Sequence, residues 1–356
     1  MRDFTCPKCG QHLAFENSLC LSCGSPLGYS FEKGTLVIAD GSGPNGRADL
    51  THYRRCANFG IAQCNWLVDS SDAAGRATDL CASCRLTRTR PSDADVVGMT
   101  AFAVAENAKR RLVAELHELR LPIVGRDQDP AFGLAFDLLS STYEDVVTGH
   151  EDGVITLDLA ESDDVRREQL RVELDEPYRT LLGHFRHETG HAYFHRLVGA
   201  WIPRRAQFIE LFGDPDADYQ AALDRHYQGG PPTNWSGQYV SSYATMHPSE
   251  DWAETFAHYL HIRDTLDTAA SFGLAPAAAK FDLVHLGPSR FDTLIGMWLP
   301  LAWSLNMINR SMGRADLYPF VLAHPVLEKM RFVHTVIDAA AEYGTAHLGT
   351  GTHRSA

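Results

Sequence analysis

The chain has 356 residues, 44% of them hydrophobic and 22% charged, and a net charge of -13. This composition excludes collagenous, coiled-coil and largely disordered chains. The acidic balance excludes a surface that grips nucleic acid over its whole extent. At ~100–200 residues per domain, the length implies two or three domains.

Charge and cysteine are unevenly spread. Residues 1–90 carry 10 Lys/Arg and 8 Asp/Glu, while residues 91–356 carry 22 and 37. All eight cysteines lie within the first 84 residues. Two domains of different kinds are expected: a cysteine-rich region at 1–90 and a second domain at 91–356. The opening MRDFTCPKCG has no apolar leader stretch. The most apolar window, Leu294 to Trp303, contains Pro300 and is too short to span a membrane. The expected compartment is the cytoplasm, where thiols stay reduced and paired cysteines are more often metal ligands than disulfides.

Cys6-Pro7-Lys8-Cys9-Gly10 is a zinc-knuckle sequence, and Cys20-Leu21-Ser22-Cys23-Gly24 repeats it. The two-residue gap lets both thiolates reach one ion, and the Gly permits the tight turn beneath them. Four thiolates close a tetrahedral site, so Cys6, Cys9, Cys20 and Cys23 are expected to hold a structural zinc. Cys56, Cys64, Cys81 and Cys84 are expected to hold a second. Only Cys81 and Cys84 have knuckle spacing there, and His52 could replace one ligand. Such small ribbons need the metal to fold. They often bind protein or nucleic acid. Arg54, Arg55, Arg85, Arg88 and Arg90 are nevertheless read as an ordinary solvated surface, because the net charge of the region is low.

Thr87 to Val97 is polar, contains Pro91 and reads as a linker. A helix is expected from about Val96 to Leu119, with Lys109, Arg110 and Arg111 on its wet side. Strands are expected at Phe132 to Leu139 and Gly153 to Leu159, and a charged helix at Glu161 to Arg171. The chain after Pro177 reads mainly as helix, with a loop at Gly229 to Trp235. The expected class is α+β: zinc ribbons, then a mainly helical domain with a small sheet.

Asp175-Glu176-Pro177 is a helix start, and the helix carries His187-Glu188-Thr189-Gly190-His191. In this HExxH motif the two imidazoles lie one turn apart on one face and can share an ion. Glu188 lies beside that ion, where a base acts on metal-activated water. The metzincin continuation fails, since Phe194 and Leu197 stand where it needs Gly and His. His195 is ~12 Å along the axis from His187, too far for one ion. It and His184 are read as surface or supporting groups. A third ligand is expected downstream, in a helix capped by Ser249 and starting at Glu250. Glu250 and Glu254 share a face one turn apart, so one can bind zinc and the next can support a histidine.

At these residues the chain resembles the gluzincin metallopeptidases, which carry HExxH on one helix and a Glu ligand on a later one. The resemblance implies His187, His191 and Glu250 as zinc ligands, Glu188 as the catalytic base and Glu254 as the acid supporting a ligand. It implies Tyr243 as an oxyanion-stabilising tyrosine. The spacer of 58 residues between His191 and Glu250 is longer than in thermolysin-like members. Over both halves the chain also resembles a bacterial family of predicted zinc-binding metallopeptidases with an N-terminal zinc-ribbon region. The matching stretches are CPKCG, CLSCG, CASCRLTR, EPYRTLLGHFRHETGH and HPSEDWAETFAHYL.

The expected function is zinc-dependent peptide hydrolysis on a peptide or protein substrate, with one catalytic and two structural zinc ions. An extended peptide is expected to add to an edge at Gly153 to Leu159. The alternatives are a non-catalytic ribbon adaptor whose ribbons bind protein or nucleic acid, and a zinc hydrolase acting on non-peptide acyl substrates.

Overall fold

The computed structural model describes residues 2–39, 53–69, 79–142, 145–163, 180–280 and 290–348. They fall into two compact units. One comprises residues 1–114, 124–149 and 154–163, the other 115–123, 150–153 and 164–356. The class is α+β, as the sequence implies. Among the described residues, no helix is long and apolar enough to cross a membrane.

The first unit opens with three two-stranded ribbons. β1 (Phe4–Thr5) pairs with β2 (His12–Leu13), β3 (Leu27–Ser30) with β4 (Thr35–Ile38), and β5 (Tyr53–Arg55) with β6 (Leu67–Asp69). Gly10 and Gly24 end the knuckles with φ of 74° and 68°, left-handed values that glycine adopts without strain. Trp66 is fully buried, and the rings of Tyr29 and Phe31 pack 4.9 and 5.5 Å from it.

β7 (Thr87–Thr89) begins inside the segment read as a linker. It pairs in parallel with β8 (Ala135–Leu139), and Arg88 forms an ion pair with Asp137. A helix, α1 (Val96–Glu118), connects the two, as parallel strands require a long crossover. β9 (Gly149–Glu151) and β10 (Val154–Asp158) complete the order β7-β8-β10-β9. The expectation of an open edge at Gly153 to Leu159 is therefore corrected. β10 lies between β8 and β9, because Asp152 and Gly153 (φ 47° and 87°) turn the chain straight back.

The wet face expected of α1 is corrected as well. Lys109 is fully buried, with its ammonium 2.5 Å from Glu106 and bonded to Thr87. Arg110 is buried and donates to the carbonyls of Ala62 and Gln63. Charges buried this way persist because each is paired or bonded. Arg111 alone of the three reaches the surface, where it pairs with Glu16.

The second unit is helical: α2 (Leu181–Phe194), α3 (Ile202–Phe212), α4 (Tyr219–Gly229), α5 (Pro248–Ser271), α6 (Arg290–Ser311) and α7 (His324–Leu348). The helix start at Asp175 to Pro177 and most of the charged helix at Glu161 to Arg171 lie outside the described residues. α2 begins at Leu181, where the Thr180 hydroxyl accepts the Gly183 amide at 2.9 Å. A π turn, His195–Gly199, extends it. Trp252 on α5 is completely buried. The rings of Phe194, Phe208, Phe212, Phe256 and Phe332 surround it at 5.7–6.1 Å. Its indole N–H donates to the Gly190 carbonyl at 2.8 Å, fixing α5 against α2.

Candidate metal centre

Two four-cysteine clusters lie in the first unit: the knuckle pairs make the first, and the four remaining cysteines make the second. Cys6, Cys9, Cys20 and Cys23 form one, and Cys56, Cys64, Cys81 and Cys84 the other. Sulfurs ~2.3 Å from a tetrahedral zinc stand roughly 3.8 Å apart. The observed Sγ–Sγ distances are 3.7 Å for Cys6–Cys23, 3.6 Å for Cys9–Cys20, and 3.7 Å for both Cys64–Cys81 and Cys64–Cys84. These fit an ion and are far too long for a disulfide, and all eight cysteines are free. His52 lies outside the described residues. Among the nearby arginines, Arg54 pairs with Asp79 and Arg55 lies over the Phe59 ring.

The third cluster joins α2 to α5. Nε2 of His187 and Nε2 of His191 are 3.2 Å apart, and Glu250 Oε2 is 3.0 and 3.3 Å from them. Nitrogen and oxygen ligands ~2.0–2.1 Å from a tetrahedral zinc stand roughly 3.3 Å apart. The donor set and its spacing therefore fit the ion.

The tautomer of His187 follows from its other nitrogen. Nδ1 is 2.8 Å from Glu254 Oε1, a carboxylate that can only accept, so Nδ1 carries the proton and donates. Where Nδ1 holds the ring's only proton, the form that ligates a metal, Nε2 presents its lone pair toward Glu250 and His191. Glu254 is held in turn by the Ser241 hydroxyl, which donates to Oε2 at 2.5 Å. Burial pushes Glu254 up, but His187 outweighs it and brings its carboxyl down to about 2. Burial likewise raises Glu250, and the two imidazoles more than reverse this, holding it well below the carboxylate range.

Gly190 explains how the two helices come close enough. A Cβ there would stand 3.0 Å from the Ala253 Cα and 3.2 Å from the Phe256 Cβ. With no side chain at Gly190, Glu250 and Glu254 on α5 reach His187 on α2.

The helix start at Glu250 is corrected by two residues. α5 begins at Pro248, and the residue before it, His247, is the cap: its Nδ1 accepts the Ser249 amide at 3.1 Å. Glu250 thus sits in the first turn, where the helix dipole favours an acid.

Glu188 is half-buried on α2. The Tyr243 ring lies 6.0 Å from the His187 ring. Burial, then Glu250, Tyr219 and Glu188, push the Tyr243 phenol far above its ordinary value, so it keeps its proton. His195 is exposed on the π turn and stands outside the cluster.

Three polar residues at the site escaped the sequence reading. The Tyr219 hydroxyl donates to Glu250 Oε1 at 3.1 Å. Ser241 holds Glu254. The His150 ring lies nearly parallel to His191, with centroids 6.2 Å apart, and its Nε2 accepts the Gly153 amide at 2.7 Å. Burial and the neighbouring His191 lower His150 to about 4. No spacing signal marks Ser241 or His150, since neither shares an element with the motif.

Comparison with known proteins bears on both units. A family model described as "Putative zinc-binding metallo-peptidase" matches residues 98–336, and a zinc-ribbon domain model matches residues 3–95. Relatives from Mycobacterium bovis and from two strains of Mycobacterium tuberculosis are each 66% identical over 348 residues. The match covers 98% of this chain and 98% of theirs, and all three are named as uncharacterized proteins. No solved structure matches.

Proposed function

Because the chain belongs to the family of putative zinc-binding metallo-peptidases, we propose that it hydrolyses peptide bonds at His187, His191 and Glu250. The main support is the convergence of those three donors at zinc-compatible separations, with an unligated acid, Glu188, next to the first of them. Zinc held there would polarise the scissile carbonyl and lower the pKa of a water toward ~7.

The protein's own groups do the rest. Glu188 accepts the proton of the attacking water and returns it to the leaving amine. Tyr243, kept protonated, donates to the oxygen on which negative charge develops. Glu254 and Ser241 hold His187 in the tautomer that leaves Nε2 free to ligate. We assign residues 1–90 to the ribbon region and 91–356 to the peptidase. The two cysteine clusters then hold structural zinc, making three ions per chain. Eight cysteines placed as metal ligands, none of them in a disulfide, favour a cytoplasmic setting.

The test is product analysis after incubating zinc-loaded protein with a peptide library, with and without chelator. Chelator-sensitive cleavage that vanishes in Glu188→Gln is expected. Cleavage of ester or other acyl substrates alone would point to a different zinc hydrolase. Intact peptides and acyl substrates with fully loaded protein would leave a non-catalytic adaptor.

A further inference from the structure

Glu250 uses its two oxygens differently. Oε2 faces the two imidazoles, whereas Oε1 accepts the Tyr219 hydroxyl at 3.1 Å. The terminal torsion of a glutamate is broad, so the plane of this carboxylate must be set by whatever holds the second oxygen.

Tyr219 is delivered to that oxygen by a chain of bonds that does not involve the metal ligands. It is the first residue of α4, capped by Asp218, whose carboxylate accepts the Ala221 amide at 3.0 Å. One residue earlier, the Ala217 carbonyl lies 3.1 Å from Nε2 of His247. His247 is buried, and its Nδ1 already accepts the Ser249 amide, so Nε2 carries the proton and donates to Ala217. The Tyr219 ring then packs on the His247 ring with centroids 5.2 Å apart. The cap of α5 therefore ties the start of α4 to the same helix turn that bears Glu250.

We infer that Tyr219 is a positioning residue: its hydroxyl occupies Glu250 Oε1, so that the carboxylate offers a single oxygen, Oε2, to the metal. This rests on the proposed role of Glu250 as a ligand. A hydrogen bond to a ligating carboxylate of this kind typically carries ~10–100-fold in metal affinity. It also keeps the coordination number low, since the freed oxygen of a carboxylate can turn and bind as a second donor.

The experiment uses the full chain as Tyr219→Phe, which keeps the ring against His247 and removes only the hydroxyl. Zinc affinity of the His/His/Glu site is measured by chelator competition, with retention of the ribbon zinc as the folding control. Cobalt is then substituted at that site and its visible absorption recorded. The expected result is affinity weakened by ~10–100-fold together with a weaker cobalt band, as the site moves from four to five donors. His247→Asn, which cuts the tether at Ala217, should shift both in the same direction. Glu250→Ala is run in parallel. If Tyr219→Phe matches the wild type in affinity and spectrum while Glu250→Ala empties the site, the positioning role is wrong and the ligand assignment stands. A fall in turnover of Tyr219→Phe with unchanged zinc affinity and cobalt spectrum would also overturn it, by making Tyr219 a group that acts on Tyr243 or on substrate instead of on the ligand. If Glu250→Ala binds zinc as the wild type does, the ligand assignment itself fails.

Discussion

Gly190→Ala perturbs the crossing on which the proposed metal centre depends without touching any of its proposed ligands. The added Cβ would lie 3.0 Å from the Ala253 Cα and 3.2 and 3.3 Å from Cβ and Cδ1 of Phe256. Carbon atoms settle at ~3.5–4.0 Å, so the helices must part by roughly 0.5–1 Å or Phe256 must leave its place. Phe256 is fully buried against Trp252, and the Ala253 contact is backbone, so neither yields cheaply. Overpacking of this kind costs ~1–3 kcal/mol. The better helix propensity of alanine returns ~1 kcal/mol, which leaves a net loss of roughly 0–2 kcal/mol. The effect on the metal should exceed the effect on stability. The donors on α2 and α5 now stand 3.0–3.3 Å apart, and a parting of the helices widens both gaps at once. A misplacement of ~1 Å can cost ~100-fold in function. Urea denaturation and zinc competition on the same samples measure the two quantities. An alanine variant that is more stable than wild type and binds zinc equally well would show that Gly190 does not set the approach of α5.

Elemental analysis of fully reduced protein should find three zinc ions per chain, and Cys6→Ser should lose a ribbon ion while the His/His/Glu ion stays; one zinc in the wild type would refute both cysteine sites. Glu188→Gln should retain zinc and lose turnover, and substantial hydrolysis by the loaded variant would give Glu188 another role. Glu250→Ala should empty the site on dialysis, whereas Glu254→Ala should retain zinc with affinity weakened by ~10–100-fold. The reverse pattern would exchange the roles of the two glutamates.

The first cysteine cluster was legible because the two-residue knuckle gap suits a shared ion, and the second because four cysteines remained, only Cys81 and Cys84 of them with that gap. The HExxH pair was legible because four residues close one helical turn. Lys109 and Arg110 were misread for a definite reason. Helical periodicity assigns charge to solvent, and nothing local announces that Glu106, Thr87 and two loop carbonyls will meet those charges in the interior. The strand at Thr87 was hidden similarly, since its partner β8 lies 46 residues or more away in sequence. Gly190 falls in a variable position of the motif, and only the crossing with Ala253 reveals its purpose. Tyr219 and Ser241 act through side chains from separate elements, a juxtaposition that periodicity cannot encode.

The first turn of α5 shows how one stretch of sequence serves both folding and chemistry. Glu250 occupies the third helical position, where in a capping box a glutamate reaches back to the cap residue's own amide. Here His247 caps the helix through its own ring nitrogen, and the carboxylate of Glu250 is released for other bonds. It remains almost fully buried, at 3% exposure, which by itself would favour the neutral acid. His191 and His187 act in the opposite direction, and they hold the carboxyl well below its usual range. A divalent cation held at the proposed site would need an ionised ligand here. The imidazoles that keep the buried acid ionised are also the groups its Oε2 faces, so on the proposed reading the charge is held where a metal would need it.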